Sequence, residues 1–323
     1  MLTTRPTIEE IRGAAERIRP FVHHTPVLRC STLNDLLGAE LFFKCENLQK
    51  GGAFKIRGAT NAVFSLDDQE ASTGVATHSS GNHAAAIALA ARWRGIKAYV
   101  VMPDNAPDVK RKAVAGYGAE ITPCLPSLKA REEGLAGVVD RTRATFIHPY
   151  NDYRVISGQG TAALELCEEI PDLDMVIAPV GGGGLLSGTA IAVSAVSPNT
   201  QVFGAEPEQA DDAFRSLQAG RIIPSDHPDT IADGLLTSLG DLTFPIIQEL
   251  VEDIVTVSEK GIVSTMRYIW ERMKIIVEPS SAVALGILLN HGVASSGKRI
   301  GLILSGGNVD LADLPWDRNR KVA

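Results

Sequence analysis

The chain has 323 residues, of which 45% are hydrophobic, and it carries a formal net charge of -7. That length exceeds what one core usually holds, so two closely joined lobes are expected, and the apolar content excludes disorder. The negative balance excludes the basic face that nucleic acid or an anionic membrane would select, leaving small molecules as partners.

In chain order, the first predicted element is an amphipathic helix in MLTTRPTIEEIRGAAERI, with acidic residues in its first turn. It lacks the apolar centre of a secretory signal, and no later stretch approaches membrane-spanning length. Short apolar runs then alternate with helical patterns. ELFFKC and GVATHS read as strands, HAAAIALAARWRG as a helix, KAYVVMP as a strand, APDVKRKAVAGYG as a helix and AEITPC as a strand. The rhythm returns as DMVIAPV, the helix LLSGTAIAVSAVS and QVFGAE, and again as SAVALGILLNH before KRIGLILS. Such alternation predicts an α/β fold with two open, twisted, mostly parallel sheets flanked by helices. No linker rich in Pro, Gly or Ser divides the sequence, so the two lobes are expected to interleave. Cys30, Cys45, Cys124 and Cys167 lie far apart without a CxxC pair, which fits structural, reduced thiols in a cytoplasmic protein.

Four segments carry chemistry: GGAFKIRGAT, SSGNH, GGGGLLSG and LSGGNVD. Lys55 is fenced by glycines and an aromatic neighbour, and a lysine becomes a covalent catalyst when its amine forms a Schiff base, most commonly with pyridoxal phosphate. VGGGGLLSG follows an apolar run and opens a helix, so the N-H groups of Gly181, Gly182, Gly183 and Gly184 can converge on an anion at the positive helix end. A dinucleotide fold also has a glycine-rich turn followed by an acidic residue at the end of the next strand, here Glu206. The tetraglycine is denser than that motif requires, and a nucleotide fold leaves GGAFKIRGA and LSGGNVD without a role. Ser79, Ser80, Asn82 and His83 precede an alanine-rich helix, where hydroxyls and N-H groups either bind a carboxylate or cap the helix.

The set, in this order, resembles the fold-type II pyridoxal phosphate enzymes, and within them the group of serine racemases, serine and threonine dehydratases and 3-hydroxyaspartate dehydratases. The resemblance runs through THSSGNHAAAIA, HPYNDYRVISGQGT, VGGGGLLSGTA, AEPEQADDAF, TIADGL, ERMKIIVEPSSAVALG and ILSGGNVDL, nearly the whole chain. It implies a tryptophan synthase β-like fold. A large cofactor-binding lobe would comprise 1–73 and 152–323, and a small substrate-gripping lobe 74–151. It also implies pyridoxal 5'-phosphate as cofactor and a homodimer. No room remains after LSGGNVDLADLPW for the regulatory domain of some biosynthetic threonine dehydratases.

By the same resemblance Ser305 faces the pyridine nitrogen, Asn82 the cofactor's 3'-oxygen, Phe54 the ring, and Leu185 completes the phosphate cradle. A hydroxyl at Ser305 cannot hold the ring protonated, which favours elimination of a β-leaving group over transamination. Ser80 matches the serine that acts opposite the lysine in racemising members. Glu206, Ala210 and Asp212 match a divalent-cation site, and oxygen ligands suit Mg²⁺ or Ca²⁺; a solvated acidic turn is the other reading. Arg131 aligns with an arginine lining the substrate side of the cleft, where a guanidinium grips a second carboxylate; a surface arginine paired with Glu132 would look the same in sequence. Thr237 is a further candidate contact. Ala53, in GAFK rather than the GSFK of the threonine dehydratases, is similar to microbial hydroxyaspartate dehydratases and to some related serine racemases. The implied reaction is dehydration and deamination of a β-hydroxy amino acid: 3-hydroxyaspartate to oxaloacetate by way of iminosuccinate, or alternatively serine racemisation with serine or threonine dehydration.

Overall fold

The computed structural model describes residues 5–79, 81–106, 108–290 and 293–316. The chain opens with α1 (Ile8–Ile18), β1 (Val27–Leu28), α2 (Ser31–Leu37), β2 (Glu40–Cys45), α3 (Lys55–Phe64) and α4 (Asp68–Ser72). A second run holds β3 (Val75–His78), α5 (Asn82–Arg94), β4 (Ala98–Pro103), α6 (Asp108–Gly116), β5 (Glu120–Cys124), α7 (Leu128–Thr142) and β6 (Thr145–Phe146). The remainder comprises α8 (Tyr153–Glu169), β7 (Met175–Pro179), α9 (Gly184–Val196), β8 (Gln201–Pro207), α10 (Asp212–Ala219), α11 (Thr243–Leu250), β9 (Asp253–Val257), α12 (Glu259–Met273), α13 (Pro279–Leu289) and β10 (Arg299–Leu304). The first helix starts where Thr7 and Glu10 form a reciprocal capping box.

Two sheets result. The larger has the order β1-β2-β10-β7-β8-β9 and the smaller β5-β4-β3-β6. Every pairing is parallel except β1 against β2. The last strand, β10, inserts between β2 and β7, so the larger sheet reverses its winding there. In open parallel sheets a crevice forms at such a reversal, beyond the carboxyl ends of the strands. The segments that follow β2, β7 and β10 are those holding Lys55, the tetraglycine and Ser305. α9 and α13 cover opposite faces of this sheet and are apolar all round, because each is buried along nearly its whole length.

Helices α3, α8 and α9 approach unusually closely. A Cβ on Gly158 would stand 2.6 Å from the Gly58 Cα, and one on Gly188 would stand 2.6 Å from the Gly160 nitrogen. These contacts give the ISGQG segment its physical reason and bring α3 against the core. Between the helices and β2 lies a buried charge cluster. Arg57 grips Glu46 through Nε (2.7 Å) and Nη2 (2.9 Å), and Glu165 through Nη1 (2.7 Å) and Nη2 (2.8 Å). Lys44 reaches Glu165 at 2.6 Å and donates to the Thr25 carbonyl at 2.8 Å. The Thr25 hydroxyl donates to Glu46, and Arg57 also donates to Thr161 at 3.1 Å. Two cations and two carboxylates balance, with Arg57, Lys44 and Glu46 all 0% exposed.

Removing one partner of such a cluster strands buried charge. Arg57→Met should lower the unfolding free energy by about 3–5 kcal/mol. Urea titration of the variant reads this directly, and a loss below about 1 kcal/mol would contradict the arrangement.

Candidate active site

Lys55 is the first residue of α3, and the segment before it is stitched to the end of β10. Ala53 bridges Gly306, Phe54 N donates to the Ser305 carbonyl at 3.0 Å, and Gly307 N donates to the Gly52 carbonyl at 2.9 Å. The lysine and Ser305 are thus held on adjacent turns of backbone. Lys55 Nζ donates to the Pro149 carbonyl at 3.0 Å and stands 5.1 Å from the centre of the Phe54 ring. Burial lowers its pKa to about 8, against the opposing pull of Glu278. Desolvation of the ammonium therefore makes the neutral, nucleophilic amine accessible near physiological pH. Ser305 is buried, and its hydroxyl has no hydrogen-bond partner among the described residues.

Beyond β7 the chain turns through Gly183 at φ +90° and enters α9 at Gly184. No described residue accepts from the N-H groups of Gly181, Gly182, Gly183, Gly184 or Leu185. The glycines answer a packing need as well. A Cβ on Gly182 would lie 2.3 Å from the Tyr150 ring, and one on Gly183 would lie 2.8 Å from the Thr243 side chain. Thr243 also donates to the Gly182 carbonyl at 2.8 Å, which fixes the loop. Five open donors at a helix start, an unpartnered buried hydroxyl and a desolvated lysine fit a phosphorylated pyridine aldehyde.

Across the crevice, the start of α5 differs from the capping alternative. Its N-cap is Gly81, with no side-chain cap. Ser79 Oγ accepts from Gly81 N at 3.2 Å, while Ser80 lies outside the described residues. Asn82 turns away from the helix: its Nδ2 donates to Glu278 (2.8 and 3.2 Å), and its Oδ1 accepts from Asn308 at 2.9 Å. Glu278, within the VEPSSA segment, carries no local signal of this role. Burial, then the charge of Asp233, push its carboxyl up to about 7. Asp233 pairs with Lys110 of α6, so two contacts tie the smaller sheet's helices to the larger sheet's loops at this edge.

His83 is buried with Nε2 3.5 Å from the Ile147 carbonyl, and its Nδ1 has no partner. Burial, aided by Lys55, drives its pKa well below the ordinary value. His78 and His148 are lowered to about 4, again first by burial. All three rings are therefore neutral at physiological pH. Arg131, on α7, is half-buried and lies within electrostatic reach of His78 and Tyr150. Its one recorded hydrogen bond is a long one, 3.4 Å from Nε to the Ser127 carbonyl, and among the described residues it has no ion pair, with Glu132 or otherwise. Thr237 borders the Tyr150 hydroxyl.

The acidic segment stands apart, at the end of β8. Glu206 accepts from Ala213 N and Phe214 N, each at 2.9 Å, whereas both oxygens of the buried Asp212 lack a close hydrogen-bond partner, with the Ser225 side chain and the Leu239 backbone near enough only to hold its carboxyl down in part. Burial and the neighbouring Asp212 push Glu206 up to about 9, and burial pushes Asp212 up to about 7. Ala210 is buried beside them, and no described N-H donates to its carbonyl. Among the described residues no group of three or more His, Cys, Asp or Glu gathers as for a metal. Two buried carboxylates with an open backbone carbonyl are nonetheless the donor set of a hard cation that keeps waters.

Comparison with known proteins agrees with this geometry. The chain is 54% identical over 312 residues to a beta-hydroxyaspartate dehydratase of Paracoccus denitrificans, covering 97% of this chain and 99% of that one. It is 51% identical over 313 residues to a serine racemase of Dictyostelium discoideum, covering 95% and 96%. The structure of maize serine racemase superposes with a TM-score of 0.94 at 47% identity, covering 98% of each chain. The family model for pyridoxal-phosphate dependent enzymes matches residues 18–306, and the chain belongs to that family.

Proposed function

We propose that this enzyme dehydrates and deaminates a β-hydroxy amino acid, and that its substrate is 3-hydroxyaspartate. The product iminosuccinate hydrolyses to oxaloacetate and ammonia. The observation that carries the substrate choice is Arg131, a guanidinium in the cleft without a carboxylate partner among the described residues. A substrate with a second carboxylate supplies that partner. The 54% identity to a beta-hydroxyaspartate dehydratase supports the same choice.

When bound, pyridoxal phosphate withdraws electrons from the substrate's α-carbon. The chain's own groups do the rest. Lys55 tethers the cofactor and, once released by the incoming amine, takes the α-proton at Nζ, a role its lowered pKa of about 8 suits. Gly181 to Leu185 would hold the phosphate, Phe54 would pack beside the ring, and Asn82, oriented by Glu278 and Asn308, would contact the 3'-oxygen. Ser305 would offer the ring nitrogen a hydroxyl rather than a carboxylate, and a hydroxyl does not hold that nitrogen protonated. Ser79, Ser80 and His83 with Asn82 receive the α-carboxylate, while Arg131 and Thr237 take the far end. The lobe of residues 74–151 closes on the lobe of 1–73 and 152–323 around the substrate. Glu206, Ala210 and Asp212 bind Mg²⁺ or Ca²⁺, which offsets the repulsion of two buried carboxylates and stabilises the fold. A cytoplasmic homodimer is part of this reading. Serine racemisation with dehydration is the second reading, favoured by the serine racemase relatives; Ser80 is compatible with both.

Ammonia and keto-acid release from the stereoisomers of 3-hydroxyaspartate, both serines and L-threonine decides between the two. One hydroxyaspartate isomer should dominate, and Arg131→Met should lower its kcat/KM about a hundredfold while leaving serine nearly unaffected. A preference for serine together with formation of its enantiomer would overturn the substrate choice. Lys55→Ala should abolish both the visible absorbance band and turnover; surviving turnover would remove the lysine from the mechanism. Chelation should lower the melting temperature by about 5 °C, with recovery on adding Mg²⁺ or Ca²⁺. No change in melting or turnover would dismiss the cation.

A further inference from the structure

Tyr150 sits where the smaller sheet's chain returns to the larger sheet, immediately after the carbonyl that Lys55 binds. Its backbone is fixed: the N-H groups of Tyr150 and Asn151 both donate to His148 Nδ1, at 3.3 and 2.9 Å. The His148 ring packs edge-on against the tyrosine, 4.5 Å between centroids at 85°. Asn151 anchors the same turn, accepting from Leu242 N at 2.9 Å and donating to Asp241 at 2.6 Å. On its other side the tyrosine ring lies across Gly182, whose missing Cβ would stand 2.3 Å from Cδ1 and 2.4 Å from Cε1.

Phenylalanine would satisfy all of that packing. The hydroxyl is left over. Among the described residues it meets no carbonyl or carboxylate, and its partner is the hydroxyl of Thr237. A hydrogen bond between two hydroxyls uses one of their two protons and leaves the other without an acceptor. Arg131 lies within electrostatic reach of the same point, and its one hydrogen bond, to the Ser127 carbonyl, is a long one at 3.4 Å. A spare hydroxyl proton and a guanidinium without a carboxylate thus neighbour a rigid turn one residue from the carbonyl that Lys55 binds. A carboxylate is the group that accepts from both at once.

We propose that Tyr150 is a specificity-determining residue whose hydroxyl, with Thr237 and Arg131, receives the distal carboxylate of the substrate. This rests on the 3-hydroxyaspartate reading and deepens it, because the tyrosine is assigned to carboxylate recognition and not to the elimination step.

The test uses the holoenzyme and two amino acids that lack a β-leaving group, aspartate and alanine, each as both enantiomers. They differ only in the distal carboxylate, and their binding is read from the shift of the cofactor's visible absorbance. The wild type should bind one aspartate enantiomer more tightly than the matching alanine. Tyr150→Phe should reduce that preference about tenfold, the worth of one hydrogen bond to a charged group, and leave alanine binding within about twofold. An unchanged preference, or equal weakening of both ligands, overturns the assignment. A wild type that does not distinguish aspartate from alanine overturns the 3-hydroxyaspartate reading itself, so the two failures are separable. Should Tyr150→Phe fail to fold, Thr237→Val removes the neighbouring hydroxyl; a preference that survives it intact also overturns the carboxylate pocket.

Discussion

Arg57 is the constraint on which the site depends. It stands two residues beyond Lys55 on the same helix, and its guanidinium is committed on both edges, to Glu46 behind β2 and to Glu165 on α8. Burying four charges costs several kcal/mol per ion before any gain, so the cluster persists only because each group is hydrogen-bonded with good geometry. Its consequence is positional. A helix pinned at this residue, and pressed glycine to glycine against α8, has no freedom to rotate, and the lysine at its start points into the crevice by default.

The crevice then draws its character from what burial does to charge. Burial lowers Lys55 to about 8 and His78 and His148 to about 4, and holds His83 well below its ordinary value. Neutral imidazoles add no positive field beside the lysine, so the lowering of its pKa is the work of burial against the pull of Glu278. Glu278 works in the opposite sense: pushed up to about 7 and bonded to Asn82, it adds little negative charge while fixing the asparagine's orientation. The wall is polar in its hydrogen-bonding groups but sparing in net charge, so a single guanidinium can dominate how an anionic substrate is oriented.

The parts of this design legible in the sequence are the loops. GGAFK, SSGNH, GGGG and LSGGN stand out because glycine and serine at strand ends are local signals, and the strands and helices around them follow from apolar period alone. What escaped were partnerships across long stretches of chain. Glu278 meets Asn82 across 196 residues, and Arg57 meets Glu165 across 108, and neither pairing leaves a trace in local composition. Asn82 illustrates the cost of local reasoning: its position before an alanine-rich run suggests a helix cap, yet two distant side chains outbid the helix for its amide. The glycines of the cradle suggest in sequence only an anion they could bind, whereas the bulk of Tyr150 and Thr243 behind them also demands the absence of a Cβ.

The same logic separates the acidic segment from the catalytic crevice. Glu206 spends both oxygens on backbone N-H groups and so resembles a satisfied structural carboxylate, while Asp212 is equally buried and spends neither. A buried carboxylate without a donor is costly, and its proximity to a second carboxylate compounds the cost, as the upward displacement of both groups records. Proton uptake relieves one carboxylate at a time. A divalent cation, as proposed above, would relieve both together and engage the open Ala210 carbonyl, whereas every member of the Arg57 cluster is already answered by another group of the chain.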